Sequence, residues 1–480
     1  MSRRPFNRSK NNYRKKATKK GGQNKNNLPK NAPLIEVTIT HIGGRGDGVG
    51  TASFTHNYET KEHQVFVPDT LVGERVMAQP LTLTGQGIQA TLVELMTPSE
   101  LRKNPDCGAS PACGGCQFQH MEKTAYQGWK SEMLEATLSR EGIVPAAWRE
   151  AYHGTSHTRR RARLAIRRRK DDVLIGFRER ASHQIIYPQD CTILAPPIMM
   201  LIDQMRDRLL LALKDGMTGE VDITLCDNGC DVSLHGDAYQ DAPWPADVIT
   251  QLTVSAADFE IARLSLVEKN QPTTLLFVKD APLIQWQLPE GANKPFAKLL
   301  PAPASFLQAD AAAEMVMKTD IFEALAGVHT ILDLFSGSGT LSAPLLFQDP
   351  PPHRIDAFDS VQEALAAYDH IADNQGLSMH LQTAARNLFD APLTPKELEG
   401  YEAVIIDPPR SGAVAQMPAL ATSDIPKIMM VSCNPHSFAR DAAMLIEGGY
   451  ECQWARHIDQ FALTAHSEII AFFTKQIADA

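Results

Sequence analysis

Three short polar blocks near the C-terminus carry a thiol and two carboxyl groups, and two of them follow directly on apolar runs. Cys433 lies in Ser432-Cys433-Asn434-Pro435, after Ile428-Met429-Met430-Val431. Asp407 opens Asp407-Pro408-Pro409-Arg410-Ser411-Gly412, after Ala403 to Ile406. Glu468 closes His466-Ser467-Glu468. Behind Cys433 the pattern turns helical, Phe438 to Leu445, so the thiol belongs to a strand-to-helix turn. Such a turn presents a side chain to a cleft, and the helix N-terminus is expected to lower the thiol pKa. A thiol and a base with separate roles in one pocket suit covalent catalysis with proton removal.

A second constellation precedes these blocks. Ile331-Leu332-Asp333-Leu334-Phe335-Ser336-Gly337-Ser338-Gly339-Thr340 reads as an apolar strand running into a glycine loop and a helix. Gly337 and Gly339 let the backbone approach a ligand at the C-terminal edge of a parallel strand. The next strand, Ile355-Asp356-Ala357-Phe358, ends at Asp359, an acid suited to ribose hydroxyls. The third glycine of a dinucleotide fingerprint is missing, so S-adenosylmethionine fits better than NAD.

Taken in order, these pieces resemble the RNA uracil-5-methyltransferase family, whose members carry a DPPRxG block, an SCNP block and a terminal HxE block after a methyl-donor site. The resemblance implies a catalytic pair. Cys433 would add to carbon-6 of uracil, making an enolate that attacks the sulfonium methyl, and Glu468 would remove the carbon-5 proton. It implies a cofactor set of Gln308, Phe335, Gly337, Gly339, Thr340, Asp359, Asn387 and Asp407. Gln308 falls in Phe306-Leu307-Gln308, the family's Phe-x-Gln block, and Asn387 falls where the family contacts adenine. This chain departs from the usual pattern at Ser336, Leu341, Asp359, Asp310, Met430 and Ser437.

Four cysteines form a separate pattern: Cys107, Cys113 and Cys116 close together, and Cys191 further on. Three close ligands and one distant one can surround a cubane cluster. A structural zinc ion with four cysteine ligands is the rival. The ribosomal branch of the resembled family carries this spacing with a 4Fe–4S cluster, and all four cysteines match. Cys226, Cys230 and Cys452 read as structural.

The 480 residues suffice for about three domains. The expected class is α/β: a basic tail over 1–31, a TRAM-like (oligonucleotide-binding-type) β-barrel over 32–97, and a central α+β iron–sulfur and RNA-binding domain over 98–295. A Rossmann-like S-adenosylmethionine methyltransferase domain follows over 296–480. The central part includes a helix near 119–140, with Met121, Ala125, Trp129, Met133, Leu134 and Leu138 recurring near helical spacing, that can pack on the catalytic domain. The net charge of −9 disfavours nucleic acid only superficially. Residues 1–30 hold 11 Lys or Arg and no acid, leaving 36 basic against 56 acidic side chains beyond them. That tail, and the run from Arg159 to Lys170, are expected to meet RNA phosphates and bases. No apolar run reaches membrane-spanning length and no secretory signal is evident, so a cytoplasmic monomer is expected.

The reading is methylation of uridine carbon-5 in RNA. Ribosomal RNA, 23S in particular, is favoured over transfer RNA because of the barrel and the four cysteines. Two alternatives belong to other classes: a non-catalytic iron–sulfur RNA sensor, and a zinc-stabilised methyltransferase acting on protein or a small molecule. Cys433 with Glu468 argues against the first, and the barrel and basic segments against the second.

Overall fold

The structure is a computed structural model that describes residues 27–29, 31–56, 58–180, 182–236, 244–268 and 271–475. Most of the basic tail lies outside the described residues. The chain divides into two compact units, one running to Glu100 apart from residues 44–46, the other from Leu101 onward together with those three residues.

The first unit is a closed five-stranded barrel of Ile35–Ile42, Gly48–His56, Glu59–Val67, Gly87–Thr97 and Arg75–Thr84, in that spatial order. Alternation drives it. Val37, Ile39, Val65, Val67, Val76, Ala78, Ile88 and Ala90 face a shared interior while their neighbours face water. Gly48 and Gly50 are needed at close approaches. A Cβ would come within 2.0 Å of the Thr70 hydroxyl at the first and 2.2 Å of the Thr38 carbonyl at the second.

The second unit holds two large sheets. One has seven strands, ordered Thr274–Val278, Ile261–Val267, Gly229–His235, Thr218–Cys226, Arg161–Arg169, Asp172–Arg178 and Ile185–Ile186. Its central hairpin turns at Asp227-Asn228, as the Asp-Asn-Gly signal implies. The helix Pro196–Ala212 covers it with Ile198, Leu201, Ile202, Met205 and Leu209.

The other sheet has eight strands, ordered Leu381–Ala385, Arg354–Asp359, Thr330–Leu334, Ala403–Ile406, Lys427–Ser432, Glu468–Thr474, Glu451–Asp459 and Tyr152–His153. The first five run parallel. Glu468–Thr474 runs antiparallel to both of its neighbours. Ala403–Ile406 is apolar throughout and wholly buried, as a strand covered on both faces must be. Ile321, Tyr368 and Ile371 pack on one face, and Leu134, Phe438 and Leu445 on the other. From Thr330–Leu334 the chain passes first to one side, to Arg354–Asp359, and later to the other, to Ala403–Ile406. That reversal opens a crevice at the carboxyl ends of these strands, where ligands of doubly wound sheets bind.

The helix Lys123–Arg140 packs on this sheet and buries Leu134 and Leu138 of the expected apolar recurrence. Tyr126, Lys130, Leu134, Thr137 and Leu138 point inward, whereas Ala125, Trp129 and Met133 are only half-buried. The buried face also has a polar part. Lys130 is 0% exposed and pairs with buried Asp459, whose other oxygen accepts from Tyr126 at 3.0 Å. Breaking a buried charge pair of this kind costs about 3–5 kcal/mol.

Candidate active site

Strand register brings the nucleophile and base together. Ser432 pairs with Ile469 in an antiparallel ladder, so the next step along each strand sets Cys433 beside Glu468. Asp407 follows Ala403–Ile406, the neighbouring parallel strand, and its backbone N–H donates to Leu334 at 3.3 Å. All three side chains therefore sit at the crevice edge of the sheet.

The turn that carries Cys433 is held from both sides. Asn434 caps the helix Pro435–Glu447 by accepting from the His436 N–H at 3.2 Å. Its Nδ2 donates to the Arg410 carbonyl at 2.9 Å. The Arg410 guanidinium lies 3.4 Å from His466 Nδ1. Contacts thus tie together the three blocks that are separate in sequence.

Electrostatics corrects one expectation. The Cys433 thiol is not lowered by its helix N-terminus; it is pushed up to about 11. Burial contributes most, Glu468 and Asp407 add to it, and Arg410 only partly offsets them. Burial pushes Asp407 up to about 7. Glu468, 2% exposed, lies well above the carboxylate range, from burial first and Asp407 second. Two carboxyl groups and a thiol crowded out of water cannot all ionise. The cleft is electrostatically complementary to a cation.

The glycine loop lies at the end of the neighbouring strand. Phe335 takes a positive φ of 61° and stacks on Phe389 with ring centres 5.4 Å apart. Gly339 (φ 71°) could not be another residue, because a Cβ would lie 2.4 Å from the Tyr368 ring. Gly337 has φ 54° and open space beside it, and Thr340 is half-buried just after it. Asp359 accepts from the Gly337 N–H at 3.0 Å and the Val361 N–H at 2.8 Å, which pins the loop. Asn387, on the loop after Leu381–Ala385, donates to Asp390 at 2.6 Å and accepts from the Phe389 N–H at 3.1 Å.

Gln308 is brought in from the segment before the helix Ala311–Ala324. It is 2% exposed, and its Oε1 accepts from Gln460 Nε2 at 2.7 Å. Gln460 also donates to Glu468. Nothing in the local sequence marks Gln460, which lies in an irregular loop eight residues before Glu468. Asp310, where the family usually has Asn, serves as a helix cap for Ala312 and Ala313 and accepts from Tyr152 and Thr158.

The arginine run divides in two. Arg160 binds the Gln308 carbonyl at 2.9 Å and pairs with Glu314, and Arg161 binds the Leu307 carbonyl at 2.6 Å above the Phe306 ring. These two brace the Phe306-Leu307-Gln308 block instead of facing solvent. Arg163 pairs with Glu220 at 2.9 Å. Arg167 and Arg169 remain exposed.

Cys107, Cys113, Cys116 and Cys191 line one cavity of the second unit. Among the described residues no three His, Cys, Asp or Glu side chains converge closely enough to hold a single metal ion. The cavity is nonetheless furnished for sulfur anions. The Gly115 N–H points at Cys113 Sγ at 3.4 Å and the Leu194 N–H at Cys191 Sγ at 3.5 Å. The guanidinium of Arg159 lines it too and is attracted by Cys116 and Cys191. Burial pushes the Cys116 thiol up to about 12 and raises that of Cys113. The chain just past Cys116 grips the loop before Glu468. Gln117 and Phe118 donate to the Leu463 carbonyl at 2.7 and 3.1 Å, and Gln117 Oε1 accepts from the Ala465 N–H at 2.7 Å. Cys226, Cys230 and Cys452 are buried elsewhere, at 5%, 3% and 5% exposure.

Comparison with known proteins agrees with this geometry. An RNA methyltransferase of Brucella suis biovar 1 is 34% identical over 445 residues, 92% of this chain and 98% of the relative. A 23S rRNA (uracil(1939)-C(5))-methyltransferase RlmD of Alteromonas naphthalenivorans is 30% identical, covering 93% of this chain and 90% of its own. In fold, the chain resembles a Pyrococcus abyssi tRNA (uracil-54, C5)-methyltransferase solved with S-adenosyl-L-homocysteine. The TM-score is 0.66 at 20% identity, over 92% of this chain and 99% of that one. The profile of the tRNA (Uracil-5-)-methyltransferase family matches residues 144–476, so this chain belongs to that family.

Proposed function

We propose that this chain methylates carbon-5 of a uridine in RNA, with S-adenosylmethionine as donor. The observation that carries the reading is the ladder step that sets Cys433 beside Glu468, with Asp407 and the glycine loop at the same crevice edge. S-adenosylmethionine supplies an electrophilic methyl group on a sulfonium. Its adenosine would lie along Phe335, Gly337, Gly339 and Thr340, with Asp359 at the ribose, Asn387 at the adenine, and Gln308 and Asp407 toward the reacting end. A cation at that end matches a site with an acidic surplus.

Cys433 gives up its proton and its sulfur adds to uracil carbon-6. The ring's electrons move to carbon-5, which would form the new carbon–carbon bond to the methyl as the methyl–sulfur bond of the sulfonium breaks, its electron pair staying on that sulfur and S-adenosylhomocysteine leaving. Glu468 then takes the carbon-5 proton. The carbon-5–carbon-6 double bond is restored and the carbon–sulfur bond breaks, its electron pair returning to Cys433. The base must be distinct from the nucleophile, because Cys433 is bonded to the ring when the proton leaves.

The four-cysteine cavity fits a 4Fe–4S cluster better than zinc. Four thiolate donors with N–H groups and a buried arginine aimed at them suit an anionic multi-metal ligand set, whereas zinc requires four sulfurs about 2.3 Å from one point. Cys107, Cys113, Cys116 and Cys191 would hold it. We read the barrel as TRAM-type, and the end of the strand Arg161–Arg169, with Arg167 and Arg169 exposed, as RNA-facing.

Ribosomal RNA is the favoured substrate because the RlmD relative shares 30% identity over nearly the whole chain. The architecture alone does not separate the two RNA classes, since a tRNA-modifying enzyme aligns over 92% of it. The test is methyl transfer from labelled S-adenosylmethionine to 23S rRNA and to tRNA transcripts, followed by nucleoside analysis. 5-Methyluridine in the 23S transcript alone is expected. Product in tRNA alone would reverse the substrate assignment, and product in neither would remove the activity.

A further inference from the structure

Gln460 belongs to none of the sequence blocks, yet it joins two groups of the site. Its orientation is fixed. The Ala309 backbone N–H donates to Gln460 Oε1 at 2.8 Å, so the NH2 end must face the other way. That end donates to Gln308 Oε1 at 2.7 Å and to a Glu468 carboxylate oxygen. Gln308, Gln460 and Glu468 are 2%, 4% and 2% exposed, so water does not compete for these bonds. Behind Gln308, Arg160 grips its carbonyl and pairs with Glu314, which fixes the far end of the chain of contacts.

Charged groups approach Glu468 from every side. Asp407 faces it from the adjacent strand end, and Cys433 from the turn opposite. Arg410 and His466 stand beyond Cys433. Arg159 lies over the Phe461 ring, and the Lys130–Asp459 pair precedes Gln460 by one residue. Among the described residues, no other side chain donates to the Glu468 carboxylate. A lone N–H donor in a buried, like-charged setting favours the ionised form and fixes the rotamer together.

We propose that Gln460 is a positioning residue that holds Glu468 turned toward Cys433 and eases its ionisation, so that it can take the carbon-5 proton. This rests on the reading of Glu468 as the base. It assigns Gln460 to the elimination step and not to methyl transfer.

The test uses the full chain with 23S rRNA tritiated at uracil carbon-5 and a methyl donor labelled with carbon-14. Methyl incorporation reads addition and transfer, and tritium release reads proton removal. Gln460→Met keeps length without the donor. Gln460→Glu keeps shape but replaces the NH2 by oxygen, so it carries the test alone if the first variant does not fold. In a single turnover both should incorporate methyl at close to the wild-type rate. Tritium release should lag, with its acid limb moved up by about one pH unit or more, because losing the donor makes Glu468 harder to ionise. Raising the pH should restore release, and the glutamate variant should need the higher pH. A uniform fall in both signals with the limb unmoved would show that Gln460 only packs, and unchanged behaviour would also overturn the proposal. Wild-type protein that transfers methyl with no acid limb on tritium release would overturn the assignment of Glu468 itself.

Discussion

The crevice at Cys433 and the cavity at Cys116 are both buried collections of acids, yet they are built differently. In the crevice, parallel and antiparallel ladders deliver one thiol and two carboxyl groups from three strand ends, and register alone decides which meet. In the cavity, loops deliver four thiols, and backbone N–H groups and Arg159 turn toward the sulfurs. The crevice carries an acidic surplus, and the cavity groups four sulfurs. The first suits a ligand that comes and goes with each turnover. The second suits one that stays, because Gln117 and Phe118, next to Cys116, also hold the loop that leads to Glu468. We read the crevice as chemistry and the cavity as its support.

That division can be broken by removing sulfur from each region. Cys433→Ala should reduce methyl transfer to background, because no enolate forms without addition at carbon-6, while iron content stays unchanged. Cys116→Ser should lower iron and sulfide content and the melting temperature of the protein. Any Cys116→Ser protein that remains folded should still bind S-adenosylmethionine with normal affinity. Loss of that affinity in folded protein would show that the cavity belongs to the chemistry after all.

Within the crevice, Asp359→Ala should weaken S-adenosylmethionine binding by about 1.5–3 kcal/mol, or roughly 10–100-fold, as measured by calorimetry. The substitution also frees the Gly337 N–H, so a smaller effect would place Asp359 in loop support only. A gentler change sharpens the electrostatic half of the comparison. With the Cys433 thiol at about 11, alkylation at pH 8 should be slow and should rise with pH. Asp407→Asn removes one of the charges that raise it. The thiolate fraction at pH 8, and the alkylation rate of the Cys433 peptide read by mass spectrometry, should grow by about tenfold for each unit by which the pKa falls. An unchanged rate would show that burial alone holds the thiol neutral.

The two regions also differ in how far they can be read from residue order. Cys433, Asp407 and the glycine loop each follow an apolar run that becomes a fully buried strand, so a strand-end position was legible from composition. The cysteine spacing was legible too, although loops gave no sign that N–H groups would face the sulfurs. What escaped were contacts between polar residues far apart in sequence. Lys130 and Asp459 lie 329 residues apart, and their pairing adds a buried charge to the face that the helix Lys123–Arg140 turns inward. Gln460 meets Gln308 across 152 residues, with no periodic pattern at either end. The run from Arg159 to Lys170 reads as one basic surface, but Arg159, Arg160 and Arg161 turn inward, because strand alternation does not say what each face will meet.

The central claim is that nucleophile and base are different residues acting in sequence, and Glu468→Gln tests it most directly. The variant keeps Cys433 and the Gln460 contact but cannot accept the carbon-5 proton. Turnover should fall by about 10²–10⁴-fold, the usual worth of a positioned base. Incubated with S-adenosylmethionine and 23S rRNA, it should therefore accumulate a methylated RNA joined to Cys433 that survives denaturing electrophoresis as a slow-migrating band. The band should be absent from Cys433→Ala combined with Glu468→Gln. Normal turnover by Glu468→Gln, with no such band, would contradict the account and leave Asp407 as the base.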